Sequence, residues 1–184
     1  MVKASFIDIP GIVVLEPRVF SDDRGFFYES YNRKTLSGLG ITTEFVQDNH
    51  AQSRQGVLRG LHYQVKHAQA KLVRVVKGEI FDVAVDLKKS SPTFGCWTGV
   101  RISESNRLQV YIPGHFAHGY LVLSDNTEVL YKASDFYAPE HERCIRWNDP
   151  DLAIDWPLLD SGPIVSEKDL RGADFRAAEL PAEA

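Results

Sequence analysis

Short runs rich in Val, Ile, Phe and Tyr recur throughout the chain, separated by Gly, Pro, Asn and Asp. That cadence predicts short β-strands, whose successive side chains point to opposite faces. Strands are expected over residues 11–16, 26–31, 44–51, 57–64, 71–77, 79–87 and 99–102, then 107–112, 117–123, 128–132 and 144–147. Residues 32–39 and 167–172 alone read as helices, and both are short. The clearest unit runs from 71 to 87. Lys71, Val73 and Val75 share one strand face, Phe81, Val83, Val85 and Leu87 share a face of the next, and Lys77-Gly78 supplies the tight turn between them. Many short strands separated by turn residues point to an all-β antiparallel jelly roll with short peripheral helices, two sheets enclosing a cavity. One domain is expected over 1–175, followed by a frayed tail at 176–184.

Composition narrows the function classes. The 184 residues are 43% hydrophobic and 25% charged, enough for a core without staples. The net charge of −4 argues against a general affinity for nucleic acid or an acidic membrane. Cys96 and Cys144 form no metal-ligand spacing and no disulfide framework, no apolar run approaches a membrane span, and no secretory signal opens the chain. A cytoplasmic protein is expected.

Candidate chemistry lies where ionisable residues interrupt apolar strands, because an inward-facing charge needs a reason. Arg59 and His62 are three apart and would face opposite ways on a regular strand, but a bulge at Gly60 would turn both into one cavity. Lys71 shares a face with Val73 and Val75, and Tyr131 with Val129 and Ala133. Taken singly, a surface Arg, a core His, a snorkelling Lys and a packing Tyr account for these four. Ser166-Glu167-Lys168-Asp169 reads as a capped helical turn. Cupin-like jelly rolls often bind metal through His-x-His, a Glu and a later His. Here Gln64 stands two residues after His62, and His115 and His118 are three apart, so no coherent ligand set emerges and no metal is expected.

Eight ordered blocks give these residues a context: Phe20–Ser30, Phe45-Val46-Gln47-Asp48-Asn49-His50, the stretch 56–64 with Arg59-Gly60-Leu61-His62, Lys71-Leu72-Val73-Arg74-Val75, Ser90-Ser91-Pro92-Thr93-Phe94-Gly95, Phe116-Ala117-His118-Gly119, Tyr137-Ala138-Pro139-Glu140 and Ser166-Glu167-Lys168-Asp169. Together they resemble the dTDP-4-dehydrorhamnose 3,5-epimerase family over residues 6–175. The resemblance implies a cupin-like jelly-roll homodimer without cofactor. Its reaction would epimerise C3 and C5 of dTDP-4-dehydro-6-deoxy-D-glucose to dTDP-4-dehydro-L-rhamnose, a step of dTDP-rhamnose biosynthesis. It implies His62 as base paired with Asp169, Tyr131 as acid on the other face, and Lys71 near the ketone. Arg59 and His118 would line the sugar pocket. Arg24, Glu29, Gln47, Asn49, Glu142 and Lys168 fall at nucleotide-side positions, and Tyr137 where a ring stacks on thymine.

The residue types suit that chemistry. Histidine ordinarily titrates near pH 6.5, a carboxylate orients it, an ammonium answers the enolate oxygen, and a phenol returns a proton from the opposite face. The sequence departs from the family at His115, where Gly is usual, and at Lys66, His67 and Ala70 in place of a Pro pair and a Gly. Three other readings stay open: an epimerase acting on one carbon of a related keto-sugar, a metal-dependent cupin enzyme, and a silent sugar-nucleotide-binding module.

Overall fold

The computed structural model describes residues 2–182. In chain order its strands are β1 (Lys3–Phe6), β2 (Val13–Glu16), β3 (Phe20–Asp22), β4 (Gly25–Phe27), β5 (Gln47–Ser53), β6 (Val57–Gln64) and β7 (Lys71–Lys77). There follow β8 (Glu79–Asp86), β9 (Trp97–Ser103), β10 (Gln109–Ile112), β11 (Phe116–Val122), β12 (Thr127–Ala133), β13 (Glu142–Cys144) and β14 (Ile164–Val165). One sheet runs β1-β2-β10-β7-β12-β5 and the other β13-β6-β11-β8-β9, with β14 parallel to β6. The other pairings between these strands are antiparallel, and the two sheets face each other as a cupin-like jelly roll.

Alternation along the strands sorts the core into layers. Val73, Val75, Ile80, Ala84, Phe116, Tyr120 and Val129 pack between the sheets. On the far side of the second sheet, Leu58, Leu61, Val83, Val85, Leu87 and Leu121 pack against Ile145, Leu152 and Trp156 from the C-terminal segment. The Phe81–Leu87 face of the predicted hairpin therefore looks outward under this cover, and the alternate face carries Asp82 inward. Outside the first sheet, Val13, Leu15 and Leu72 pack beneath α1 (Arg33–Gly38) through Leu36 and Ile41. Asn32 caps α1 by accepting from the Lys34 and Thr35 amides at 2.9 and 3.2 Å.

The β7–β8 hairpin forms where expected, with Gly78 at φ +79°. Other boundaries move. The strand expected over 26–31 ends at Phe27, because Tyr28 to Tyr31 leave the β3–β4 hairpin and cross the first sheet, where the Ser30 carbonyl accepts from Gln109 at 3.0 Å. The strand expected over 44–51 is displaced to 47–53, and that over 144–147 to 142–144. β1, β3 and β14 were not legible, being short strands with no alternating burial. The tail expected to fray from Arg176 is held instead: Tyr63 donates to the Glu179 carbonyl at 2.7 Å, Arg143 pairs with Glu179, and Ala178 and Leu180 join the outer core. Its last two residues lie outside the described residues. Among those described, no helix is long and apolar enough to cross a membrane.

Candidate active site

β6 and β11 cross closely enough to explain how two side chains three apart reach one cavity. His62 pairs with His118 and Arg59 with Tyr120, so three steps on β6 match two on β11. Gly60 absorbs the extra residue at φ +112°, and a Cβ there would stand 2.6 Å from the Gly119 Cα. The bulge turns Arg59 and His62 into the same cavity of about 230 Å³.

Lys71 enters from β7, Tyr131 from β12, and His118 and Tyr120 from β11, while Tyr137 and Glu142 stand at the end near β13. Behind His62, the buried Asp169 carboxylate lies 2.6 Å from Nε2 through Oδ1, and its Oδ2 accepts from the Gly60 amide at 3.3 Å. Ser166 caps α2 (Glu167–Leu170), which carries Asp169, through the Asp169 amide at 3.1 Å. Burial alone would raise the Asp169 carboxyl, but the hydrogen bond and charge of His62 and the Gly60 amide hold it below the ordinary range.

Lys71 is 8% exposed, and burial pushes its ammonium down to about 8 while Asp82 and Glu142 pull the other way. Burial raises the Tyr131 phenol, with the nearby Arg59 charge opposing, so it stays protonated through the neutral range. Glu142 joins the cavity to its rim: it accepts from Tyr137 Oη at 2.6 Å and pairs with Lys168. Burial works against the Glu142 carboxylate, yet Lys168, Tyr137 and His62 hold its carboxyl below the usual range.

The remaining expected residues are not in this cavity. Gln47 stands behind Tyr137, accepting from its amide at 3.1 Å and donating to Asn49 at 3.1 Å. Asn49 borders a neighbouring hollow with Tyr131 and Asp48. Glu29 accepts from Asn32 at 2.9 Å beside α1, and Arg24 is fully solvated on the β3–β4 hairpin, paired with Asp22 at 2.6 Å. His115 does not line the cavity either. Its ring lies 4.5 Å from that of Phe116, and Nε2 is 4.0 Å from Asp86.

Sequence reasoning missed Asp82. This carboxylate is 2% exposed and holds Nε2 of the cavity-lining His118 at 2.7 Å, making a second imidazole–carboxylate pair with the acid behind the ring. Its signal was a lone acid between Phe81 and Val83, obscured because the apolar face was read as the informative one. Gln64 was weighed only as an absent metal ligand. It braces the rim by accepting from the Ala138 amide at 2.8 Å and donating to the His67 carbonyl at 2.6 Å. Cys144, read as a bland thiol, stands across the β13–β6 ladder from His62, and burial pushes its thiol up to about 12.

Comparison with known proteins agrees with this architecture. The family described as dTDP-4-dehydrorhamnose 3,5-epimerase matches residues 7–177. The dTDP-4-dehydrorhamnose 3,5-epimerase of Pseudomonas aeruginosa is 58% identical over 178 residues, 96% of this chain and 98% of that protein. That of Shigella flexneri is 52% identical, over 94% and 95% respectively. The crystal structure of dTDP-6-deoxy-D-glucose-3,5-epimerase from Legionella pneumophila, in complex with dTDP-4-keto-L-rhamnose, superposes with a TM-score of 0.96 at 46% identity, covering all of both chains. With an imidazole, an ammonium and a phenol converging in its cavity and a relative matched end to end, this chain belongs to the dTDP-4-dehydrorhamnose 3,5-epimerase family.

Proposed function

We propose that the protein epimerises C3 and C5 of dTDP-4-dehydro-6-deoxy-D-glucose, giving dTDP-4-dehydro-L-rhamnose. The observation that carries this reading is the single cavity shared by His62, Lys71 and Tyr131, with His62 backed by Asp169. His62 Nε2 is committed to Asp169, leaving Nδ1 to accept the proton beside the ketone. The C–H pair becomes the enolate double bond and the carbonyl pair moves to oxygen. Lys71 holds that oxyanion, a contribution on the order of 3–4 kcal/mol for one good donor. Tyr131 then protonates the opposite face, with Arg59 easing the phenolate it leaves behind. Exchange with solvent resets both groups, and the same constellation serves the second carbon once the ring has shifted. Asp169 orients the imidazole and stabilises imidazolium.

On the nucleotide side, Tyr137 offers a half-exposed ring for thymine, and Gln47, Asn49, Glu142 and Lys168 surround it. Arg24 and Glu29 lie too far out to join this cavity, and the hairpin bearing Arg24 exposes Phe20, Phe26 and Phe27. A homodimer in which the hairpin meets the other subunit's nucleotide accounts for both facts.

The test is incubation with dTDP-4-dehydro-6-deoxy-D-glucose in D₂O with NMR of the sugar protons. Deuterium is expected at C3 and C5. Deuterium at one carbon would give the protein to a single-carbon epimerase, and at neither would remove the activity. His62→Asn is expected to abolish exchange while nucleotide binding persists, and exchange near the wild-type rate would unseat His62 as base.

A further inference from the structure

One ligand atom each from His62, Cys144 and Asp169 lie within 4.8 Å of one another, and no other such trio of His, Cys, Asp or Glu occurs among the described residues. Imidazole, thiolate and carboxylate are the donors zinc takes, at about 2.0–2.3 Å each. Those bonds place tetrahedral donors about 3.3–3.8 Å apart. The trio needs to close its widest separation by about 1 Å and to open the 2.6 Å His62–Asp169 contact. Among the described residues the sulfur's one hydrogen bond is a long 3.5 Å contact to the neighbouring Ile145 carbonyl, so no strong polar contact opposes its rotation. The Asp169 and Glu142 carboxylates both act on Cys144 and are opposed there by the single Lys168 ammonium, a balance that favours a cation. Asp169 Oδ2 remains anchored on the Gly60 amide, the kind of outer support that fixes a ligating carboxylate. The His62 side chain is 32% exposed, so the ring is reached from the cavity it lines.

We propose that His62, Cys144 and Asp169 form an inhibitory site for a thiophilic divalent cation, zinc foremost. The ion displaces the Cys144 proton to solvent and takes the Nε2 lone pair, so the ring's remaining proton sits on Nδ1. Nδ1 then has no lone pair for substrate, and metal binding excludes the base role. The inhibitory half of the proposal rests on the reading of His62 as base; the binding half does not.

The experiment uses protein stripped with EDTA and titrated with CoCl₂ or ZnCl₂. Wild type is expected to bind one cobalt ion per chain with a thiolate-to-cobalt charge-transfer band in the near ultraviolet, bleached by zinc. Zinc is expected to stop deuterium exchange, and EDTA to restore it. Cys144→Ser should keep exchange without zinc, lose the band, and need at least ten-fold more zinc for half-inhibition. No band in wild type, zinc stimulation of turnover, or equal sensitivity of wild type and Cys144→Ser would each overturn the site. A band that forms while exchange continues would leave the ion bound at Cys144 and overturn the inhibition, while the role of His62 as base is judged separately by exchange in His62→Asn.

Discussion

Lys71 illustrates how a residue can cost stability where it serves chemistry. Its pKa of about 8, against the ordinary 10.5, means that below pH 8 the folded protein carries a buried charge. Between those values only the unfolded chain holds the proton, so stability rises with pH across that window. The shift corresponds to about 3 kcal/mol of burial cost at neutral pH. Lys71→Met is therefore expected to raise the thermal midpoint at pH 7 while slowing exchange roughly 10²–10³-fold, the scale of a lost oxyanion donor. Calorimetry and the NMR exchange assay read the two effects in opposite directions. In wild type, kcat/KM should fall as pH rises through about 8, when the ammonium is lost. Asp82 tests the same balance from beneath. Its carboxylate favours charged Lys71 and holds His118, so Asp82→Asn is expected to move that alkaline limb to lower pH. An unmoved limb with reduced stability would make Asp82 merely structural. Lys71 was legible as a charge leading an apolar face, whereas Asp82 was not, because pairing with His118 is a contact between strands far apart in sequence.

Among the elements, β6 sets the site more than any other, and its signal was a single glycine. A strand of regular pleat would place Arg59 and His62 on opposite faces. The register slip against β11 places both inward, and it requires Gly60 and Gly119 to pass with almost no space between backbones. Gly60→Ala would add a Cβ 2.6 Å from Gly119 Cα and from the His118 carbonyl, at a backbone angle that side chains avoid. Overpacking typically costs about 1–3 kcal/mol, and here it also twists His62 away from Asp169. The variant is expected to lose thermal stability and nearly all exchange together; Gly56→Ala, also at positive φ but near only flexible Leu159 and Ile164 side chains, should lose stability and retain exchange. The long strands around this crossing are readable because burial on both faces leaves apolar runs bounded by turn residues. β14 and the packed tail are not, since each is fixed by partners distant in the chain: Val57 and Leu58 in one case, Tyr63 and Arg143 in the other.

For the whole molecule, the open matter is which surface completes the nucleotide site. Among the described residues Arg24 pairs with Asp22 alone, and it sits on a hairpin whose Phe27 is 70% exposed. A guanidinium suited to gripping diphosphate gains that role only if the hairpin reaches a second copy. The arrangement has a consequence that a site completed within one chain lacks. Arg24→Ala and His62→Asn are each expected to be strongly impaired alone, the first through a raised KM, the second through kcat. If the chain pairs as proposed, unfolding the two variants together and refolding them is expected to give mixed dimers. In them, one site combines the intact His62 of the Arg24→Ala subunit with the intact Arg24 of the His62→Asn subunit. Recovery toward one quarter of wild-type exchange is therefore expected, because about half the dimers are mixed and each holds one sound site of two. If Arg24 acted within its own chain, every site in the mixture would keep a lesion and activity would stay at the level of the separate variants. Sedimentation of the mixture distinguishes a failure to pair from pairing without rescue, and only pairing without rescue returns Arg24 to its own subunit.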